Sequence, residues 1–219
     1  MNGQAAGIPA FPLSLPLRGR LCLLVGGGEV AERKLRTLLP FGPRLRVVAP
    51  EIRASLEEMA VGYPASADGR EAEPVPGDGC RLELVRREYR TEDLEGVFLA
   101  FAAATPEVNA RVAADCRRKG ILVNVADDPE SSDFFLPSHL RRGLLVVAVS
   151  TSGASPALAR RIRERLEPLF PPAYGPWTER LALARRRVLA SFSREEDRRR
   201  ILERLAEKAA ALAAAGRSP

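Results

Sequence analysis

Four places in the chain hold residue types whose spacing can do chemistry: Gly26-Gly27-Gly28, Glu51, the pair Asp127-Asp128, and the hydroxyl-rich run from Ser150 to Ser155. Gly26, Gly28 and Ala31 fit the dinucleotide pattern G-x-G-x-x-G/A. Gly26 permits a sharp turn, Gly28 lets backbone approach a pyrophosphate, and small Ala31 lets helix and strand pack closely. The helix that begins there offers free N–H groups and a partial positive charge to phosphates. Glu51 follows Ala31 by about twenty residues, the range in which a carboxylate grips ribose hydroxyls. Arg53 is near enough to touch a 2′-phosphate, so the choice leans to NAD over NADP without closing. A helix-start acid is the plainer role for Glu51.

Asp127 and Asp128 follow a strand that ends at Val125, where open α/β sheets place ligands. A carboxylate there can accept a proton while a nicotinamide takes hydride, or can coordinate a cation. Turn formation before Pro129 suits aspartate equally well. Ser150, Thr151, Ser152 and Ser155 put four hydroxyls beside a helix start at Pro156, which suits a carboxylate or phosphate. Ser155 also reads as the helix cap. The single histidine, His139, rules out a zinc site built on several imidazoles and reads as a surface residue near a helix start. Neither a Gly-x-x-x-x-Gly-Lys-Ser/Thr loop nor a Gly-x-Ser-x-Gly elbow occurs, which removes P-loop triphosphatases and serine hydrolases.

The elements that must carry these residues alternate. Leu21–Val25 is a buried strand, and Ala31, Leu35 and Leu38 line one face of the helix after it. Leu45–Ala49 is the second strand, followed by a short helix over Ile52–Met59. Gly62–Gly79 lacks periodicity and reads as a surface insertion. Leu82–Val85 is a strand, Thr91–Leu94 a capped helical turn, and Val97–Ala103 a strand buried on both faces. Thr105 caps a helix that opens on Pro106, turns Val108 and Val112 inward and closes at Gly120. Ile121–Val125 completes an α/β, doubly wound parallel sheet of Rossmann type. Beyond it lie a strand at Leu144–Val149, a helix from Pro156, a linker at Pro171–Pro176, and two amphipathic helices. Trp177, Leu181, Val188 and Phe192 mark the stripe of the first, and Ile201, Leu202, Leu205 and Leu212 that of the second.

Composition narrows the classes. Apolar residues make up 46% of the 219 residues, so the chain folds around a core. The longest apolar runs, 97–104 and 144–149, are too short to cross a bilayer, and no signal peptide is evident. Cys22, Cys80 and Cys116 are scattered and odd in number, which fits the reducing cytoplasm. A net charge of +6 would suit nucleic acid, yet aromatic residues are only 5% and no nucleic-acid motif occurs. The excess arginine falls on the C-terminal helices, where it solvates a helix face or draws in a polyanionic small molecule.

Taken together, Leu17-Arg18-Gly19-Arg20, the run Val25 to Lys34, and Val47-Val48-Ala49-Pro50-Glu51 resemble one family. Arg87-Glu88-Tyr89, Pro106 to Asn109, Val123 to Asp127 and Val147 to Pro156 continue the match over roughly residues 14–210. The family is precorrin-2 dehydrogenase / sirohydrochlorin ferrochelatase, the N-terminal part of siroheme synthase. The resemblance implies NAD-dependent oxidation of precorrin-2 to sirohydrochlorin by a homodimer, with ferrous chelation in some members. Gly7, Pro9 and Pro12 make 1–13 a loose lead-in, and the resemblance implies an NAD-binding Rossmann-type domain over 14–126, interrupted by the insertion at 62–79, a dimerisation and substrate segment over 127–172, and a small helical domain over 173–219. By motif position Glu29, Val30, Pro50 and Glu51 would contact NAD together with Gly26 and Gly28. Asp127 would act in catalysis and is the one residue entertained as a metal contact. Ser155, with Ser150 and Ser152, would face the tetrapyrrole. The insertion is longer than the family's, and Ala102-Ala103-Ala104-Thr105 is shorter than its usual run. A non-catalytic NAD-binding redox sensor is the competing reading of the same turn.

Overall fold

The computed structural model describes residues 9–61 and 82–219. The insertion at 62–79 and Cys80 therefore lie outside the described residues. The chain separates into two compact units, one over Ala10–Phe135 and one over Leu136–Pro219.

The first unit is a five-stranded parallel sheet. Its elements are β1 (Leu21–Val25), α1 (Glu29–Leu38), β2 (Arg44–Ala49), α2 (Ala54–Val61), β3 (Leu82–Arg86), β4 (Leu99–Ala102), α3 (Pro106–Lys119) and β5 (Leu122–Val125). The strands lie in the order β3-β2-β1-β4-β5. Strand order reverses between β1 and β4, so their carboxyl ends open a crevice at the topological switch point. β1 is hydrogen-bonded on both edges, Leu24 standing beside Val47 and Phe101.

Period-two burial divides the core. Cys22, Leu24, Leu45, Val47 and Phe101 pack on one face against Ala31 and Leu35 of α1 and Leu56 of α2. Leu23, Val25, Ala100, Val123 and Val125 pack on the other against Val112, Ala113 and Cys116 of α3. Leu24 and Leu35 are wholly enclosed, and each such burial contributes about 1.5–3 kcal/mol. The helices stop where the sequence says they should. α3 closes at Gly120 in the left-handed region (φ +67°), with basic Arg117, Arg118 and Lys119 in its last turn.

The second unit holds an antiparallel hairpin, β6 (Ser138–Arg142) with β7 (Leu145–Val149). Helices α4 (Pro156–Leu166), α5 (Tyr174–Ser191) and α6 (Glu195–Ala214) follow.

Several local expectations change. His139 sits in β6, not at a helix start, because Ser138–Arg142 pairs along its whole length with β7. Gly175 and Pro176 belong to α5 rather than to a linker. Pro176 falls in the first helical turn, where a missing N–H costs nothing. Gly175 packs so closely on Gly143 that a Cβ at Gly143 would lie 2.8 Å from the Gly175 Cα. The inward residues of the last two helices are Val188, Ala209 and Ala213, while Phe192 is exposed. Thr105 stands at the α3 cap position, its carbonyl accepting from Asn109 N at 2.9 Å, with no side-chain cap hydrogen bond. Asn109, one turn into the helix, ties down the residue before the cap, accepting from the Ala104 N–H at 2.9 Å.

Candidate functional site

The glycine turn is built by close backbone approach. Gly26 has φ +127°, donates its N–H to Val48 O at 2.9 Å, and would thrust a Cβ to 2.1 Å from Ala103 O. A Cβ on Gly27 would lie 2.0 Å from Glu51 O. Gly28 differs from both. No described atom comes within 4 Å of its Cβ position, and it caps α1 in an extended conformation with no side-chain bond. The start of α1 thus has no side-chain cap and has open space at Gly28, as a phosphate cradle requires. The sequence pattern gives Gly26 the sharp turn and Gly28 the approach to a pyrophosphate, and says nothing of Gly27. Its signal is weak, since the central residue of G-x-G is free to vary in the general pattern.

Around this turn, Pro50 and Glu51 are exposed at the carboxyl end of β2, Glu29 is exposed, and Val30 is half-buried. Ala31 is fully buried, as close packing of helix on strand demands.

At the end of β5 the geometry is of another kind. Asp127 is exposed and has φ +58°, a left-handed conformation for a residue with a side chain. Ser132 holds the turn: its Oγ accepts from Val125 N at 2.9 Å and donates to Asp128 O at 2.8 Å. Asp133 closes it, accepting from Val123 N at 2.9 Å. The two neighbouring aspartates part company here. Asp128 accepts from Ser131 N at 3.0 Å, and the Ser131 hydrogen bonds hold its carboxyl below the usual carboxylate range. Asp128 is the turn former, and Asp127 presents its carboxylate outward.

Two residues absent from the sequence-based site join the α1 helix to this turn. Lys34 donates to Asn124 Oδ1 at 2.5 Å, and Asn124 donates to Phe134 O at 2.8 Å. Burial pushes the Lys34 ammonium below its ordinary range, against which the Asp127 charge acts. Only a fold in hand reveals this pairing, because 90 residues separate the partners.

Gly26, Gly28, Glu29, Val30, Pro50, Glu51 and Asp127 therefore all belong to the carboxyl edge of one sheet. The serines lie in the second unit. Ser155 Oγ accepts from Leu158 N at 3.2 Å as the α4 cap, and Ser155 N donates to Thr151 Oγ1 at 3.0 Å. Ser152 has φ +53° and donates its N–H to Ser150 Oγ at 3.1 Å. His139 stands with Nδ1 3.3 Å from Pro137 O. Among the described residues, no three His, Cys, Asp or Glu side chains gather as a metal site. No described helix is long and apolar enough to cross a membrane.

Comparison with known proteins decides the family. The model described as "Putative NAD(P)-binding" matches residues 13–138. The chain belongs to this NAD(P)-binding family. A second model, described as sirohaem biosynthesis protein central, matches residues 142–168. Among relatives, the siroheme synthase of Chromobacterium violaceum is 43% identical over 198 residues, 90% of this chain and 38% of that protein. That of Methylococcus capsulatus is 39% identical over 210 residues, 95% of this chain and 41% of that protein. The chain thus spans about two fifths of the curated relatives it matches. A solved structure titled SirC, precorrin-2 dehydrogenase, superposes with a TM-score of 0.71 at 27% identity, covering 90% of this chain and 89% of that one.

Proposed function

We propose that this NAD(P)-binding chain is an NAD-dependent precorrin-2 dehydrogenase that forms sirohydrochlorin. The observation that carries the reading is the pairing, on one sheet edge, of an uncovered helix start at Gly28 with an outward carboxylate at Asp127. The relatives named siroheme synthase and the neighbour titled precorrin-2 dehydrogenase supply the substrate.

The roles follow from the chemistry. Bound NAD supplies the hydride acceptor. Gly26 lets the turn close on Ala103, Gly28 leaves room for the pyrophosphate, and the α1 amides compensate the phosphate charge. Glu29, Val30 and Pro50 flank it, and Glu51 accepts from ribose hydroxyls. Loss of hydride from the macrocycle leaves a proton to be removed, and Asp127 is the acceptor. Ser150, Ser152 and Ser155 donate to carboxylates of the tetrapyrrole, while the chain's positive charge draws that polyanion in. The protein's own share is orientation and electrostatics.

The second unit supports assembly as a homodimer. Leu144 and Val146 of the hairpin and Leu158 and Ile162 of α4 are exposed apolar side chains, which a second copy would cover. Cys22 and Cys116 are buried, and so few and scattered cysteines suit the cytoplasm.

The test is anaerobic turnover of precorrin-2 with NAD, followed by NADH absorbance, in the wild type and Asp127→Asn. Wild-type turnover that falls at least about a hundredfold in the variant, with NAD affinity kept, supports the reading. NAD binding with no turnover would replace it by the sensor reading. Repeating the assay with ferrous ion and sirohydrochlorin reads chelation separately.

A further inference from the structure

The residues after β2 contain both devices that a dinucleotide site uses at the first ribose. Glu51 is an acid of the kind that takes a free 2′-hydroxyl, and Arg53 a cation of the kind that takes a 2′-phosphate. Arg53 is anchored to the glycine turn, its N–H donating to Gly27 O at 3.1 Å. Its guanidinium folds back over the first turns of α1. There it lies 3.9 Å from the Glu29 carboxylate and 4.0 Å from that of Glu32.

Glu32 is not a free surface acid. Its carboxylate accepts from Ser55 Oγ at 2.6 Å and from Arg36 at 2.8 Å, which fixes it between α1 and α2. The Ser55 hydrogen bond, with Arg36 and Arg53 nearby, keeps its carboxyl below the ordinary range, so it stays charged at neutral pH. Glu29 is 85% exposed and adds a second negative charge to the same guanidinium.

We propose that Glu29 and Glu32 set the cofactor preference by engaging Arg53, so that the ribose pocket takes a 2′-hydroxyl and turns away a 2′-phosphate. The proposal rests on the reading of the glycine turn as a dinucleotide site. A hydroxyl carries no charge and donates to Glu51. A 2′-phosphate brings a charge of about −1.5 to −2 and must displace two carboxylates from Arg53 with a third beside it. Arg53 is then a cation present in the right place and already spoken for.

The experiment measures dissociation constants for NAD and for NADP by calorimetry on the full chain. It compares the wild type, Glu29→Gln, Glu29→Gln/Glu32→Gln, and the latter with Arg53→Gln. The wild type is expected to favour NAD. Removing both carboxylates should cut that preference by about tenfold through tighter NADP binding, and Glu29→Gln alone by about threefold. Adding Arg53→Gln should restore the preference. The single variant guards against loss of the Ser55 and Arg36 contacts, since Glu29 is exposed. An unchanged NADP-to-NAD ratio in folded variants overturns the proposal, as does a gain that survives Arg53→Gln. Failure of the wild type to bind either dinucleotide strikes instead at the glycine-turn reading, and takes the proposal with it.

Discussion

The two turns at the sheet's carboxyl edge solve the same problem by opposite means. After β1 the chain reverses through three glycines, and the turn is tight because nothing projects from it: Gly26 nestles on Ala103 O and Gly27 on Glu51 O. After β5 the chain reverses through aspartates and serines, and side chains do the holding. Ser132, Asp128 and Asp133 bond to backbone and keep Asp127 in a left-handed conformation that its own side chain disfavours. A turn of the first kind leaves bare amides for a ligand to approach. A turn of the second kind displays a chosen side chain, and the strain it tolerates marks where the chain is over-determined.

That contrast is broken most severely by adding one methyl group to the first turn. Gly27→Ala would drive a Cβ into the Glu51 carbonyl, and neither backbone can yield without moving β2. The expected loss is about 3 kcal/mol or more, read as a lower denaturation midpoint. Gly28→Ala has open space around its Cβ position and should cost no more than about 1 kcal/mol of stability. Its effect should fall on NAD affinity instead. A Gly28→Ala protein as unstable as Gly27→Ala would mean the first turn is not open.

These turns also differ in how far the sequence discloses them. The strand–glycine–helix punctuation around Gly26 is local, and each signal lies within about ten residues of the next. The sheet, its order of strands and helices, and the caps at Gly120 and Ser155 are legible for the same reason. Gly27 is not, because its constraint comes from Glu51, which only folding brings beside it. Lys34 and Asn124 are hidden likewise. The β6 strand escapes because Ser138–Arg142 has a single buried residue, Leu140, and its order comes from pairing with β7 rather than from any pattern of its own. Of Asp127 and Asp128, spacing offers both as candidates, and hydrogen bonding separates them.

The second turn breaks more gently. Ser132→Ala removes the acceptor for Val125 N and the donor to Asp128 O, and should cost about 1–2 kcal/mol. Turnover should fall further than that loss of stability explains, with NAD affinity kept, because the site loses its aim and not its cradle. Asp127→Gly should act in the reverse sense on stability. Glycine accepts a φ of +58° without penalty, so the fold should gain up to about 1 kcal/mol while turnover disappears. A destabilised Asp127→Gly protein would show that Asp127 is there for packing rather than presentation.

The smallest effect separates the turns by pH. Asp128 accepts from the Ser131 side chain and from Ser131 N, and those hydrogen bonds keep its carboxyl below the ordinary carboxylate range. The unfolded chain therefore takes up the proton at higher pH than the folded one. The bonds' contribution is complete above the ordinary aspartate range, declines as pH falls through the lowered folded value, and is absent below it. The Ser131 amide should exchange faster with solvent, relative to its intrinsic rate, as pH falls through that window. The Gly26 amide is bonded to a carbonyl, Val48 O, with no titrating group in the bond, and its protection should stay level until the whole fold opens. Equal loosening of both amides would mean that the Asp128 carboxylate does not hold the second turn by itself.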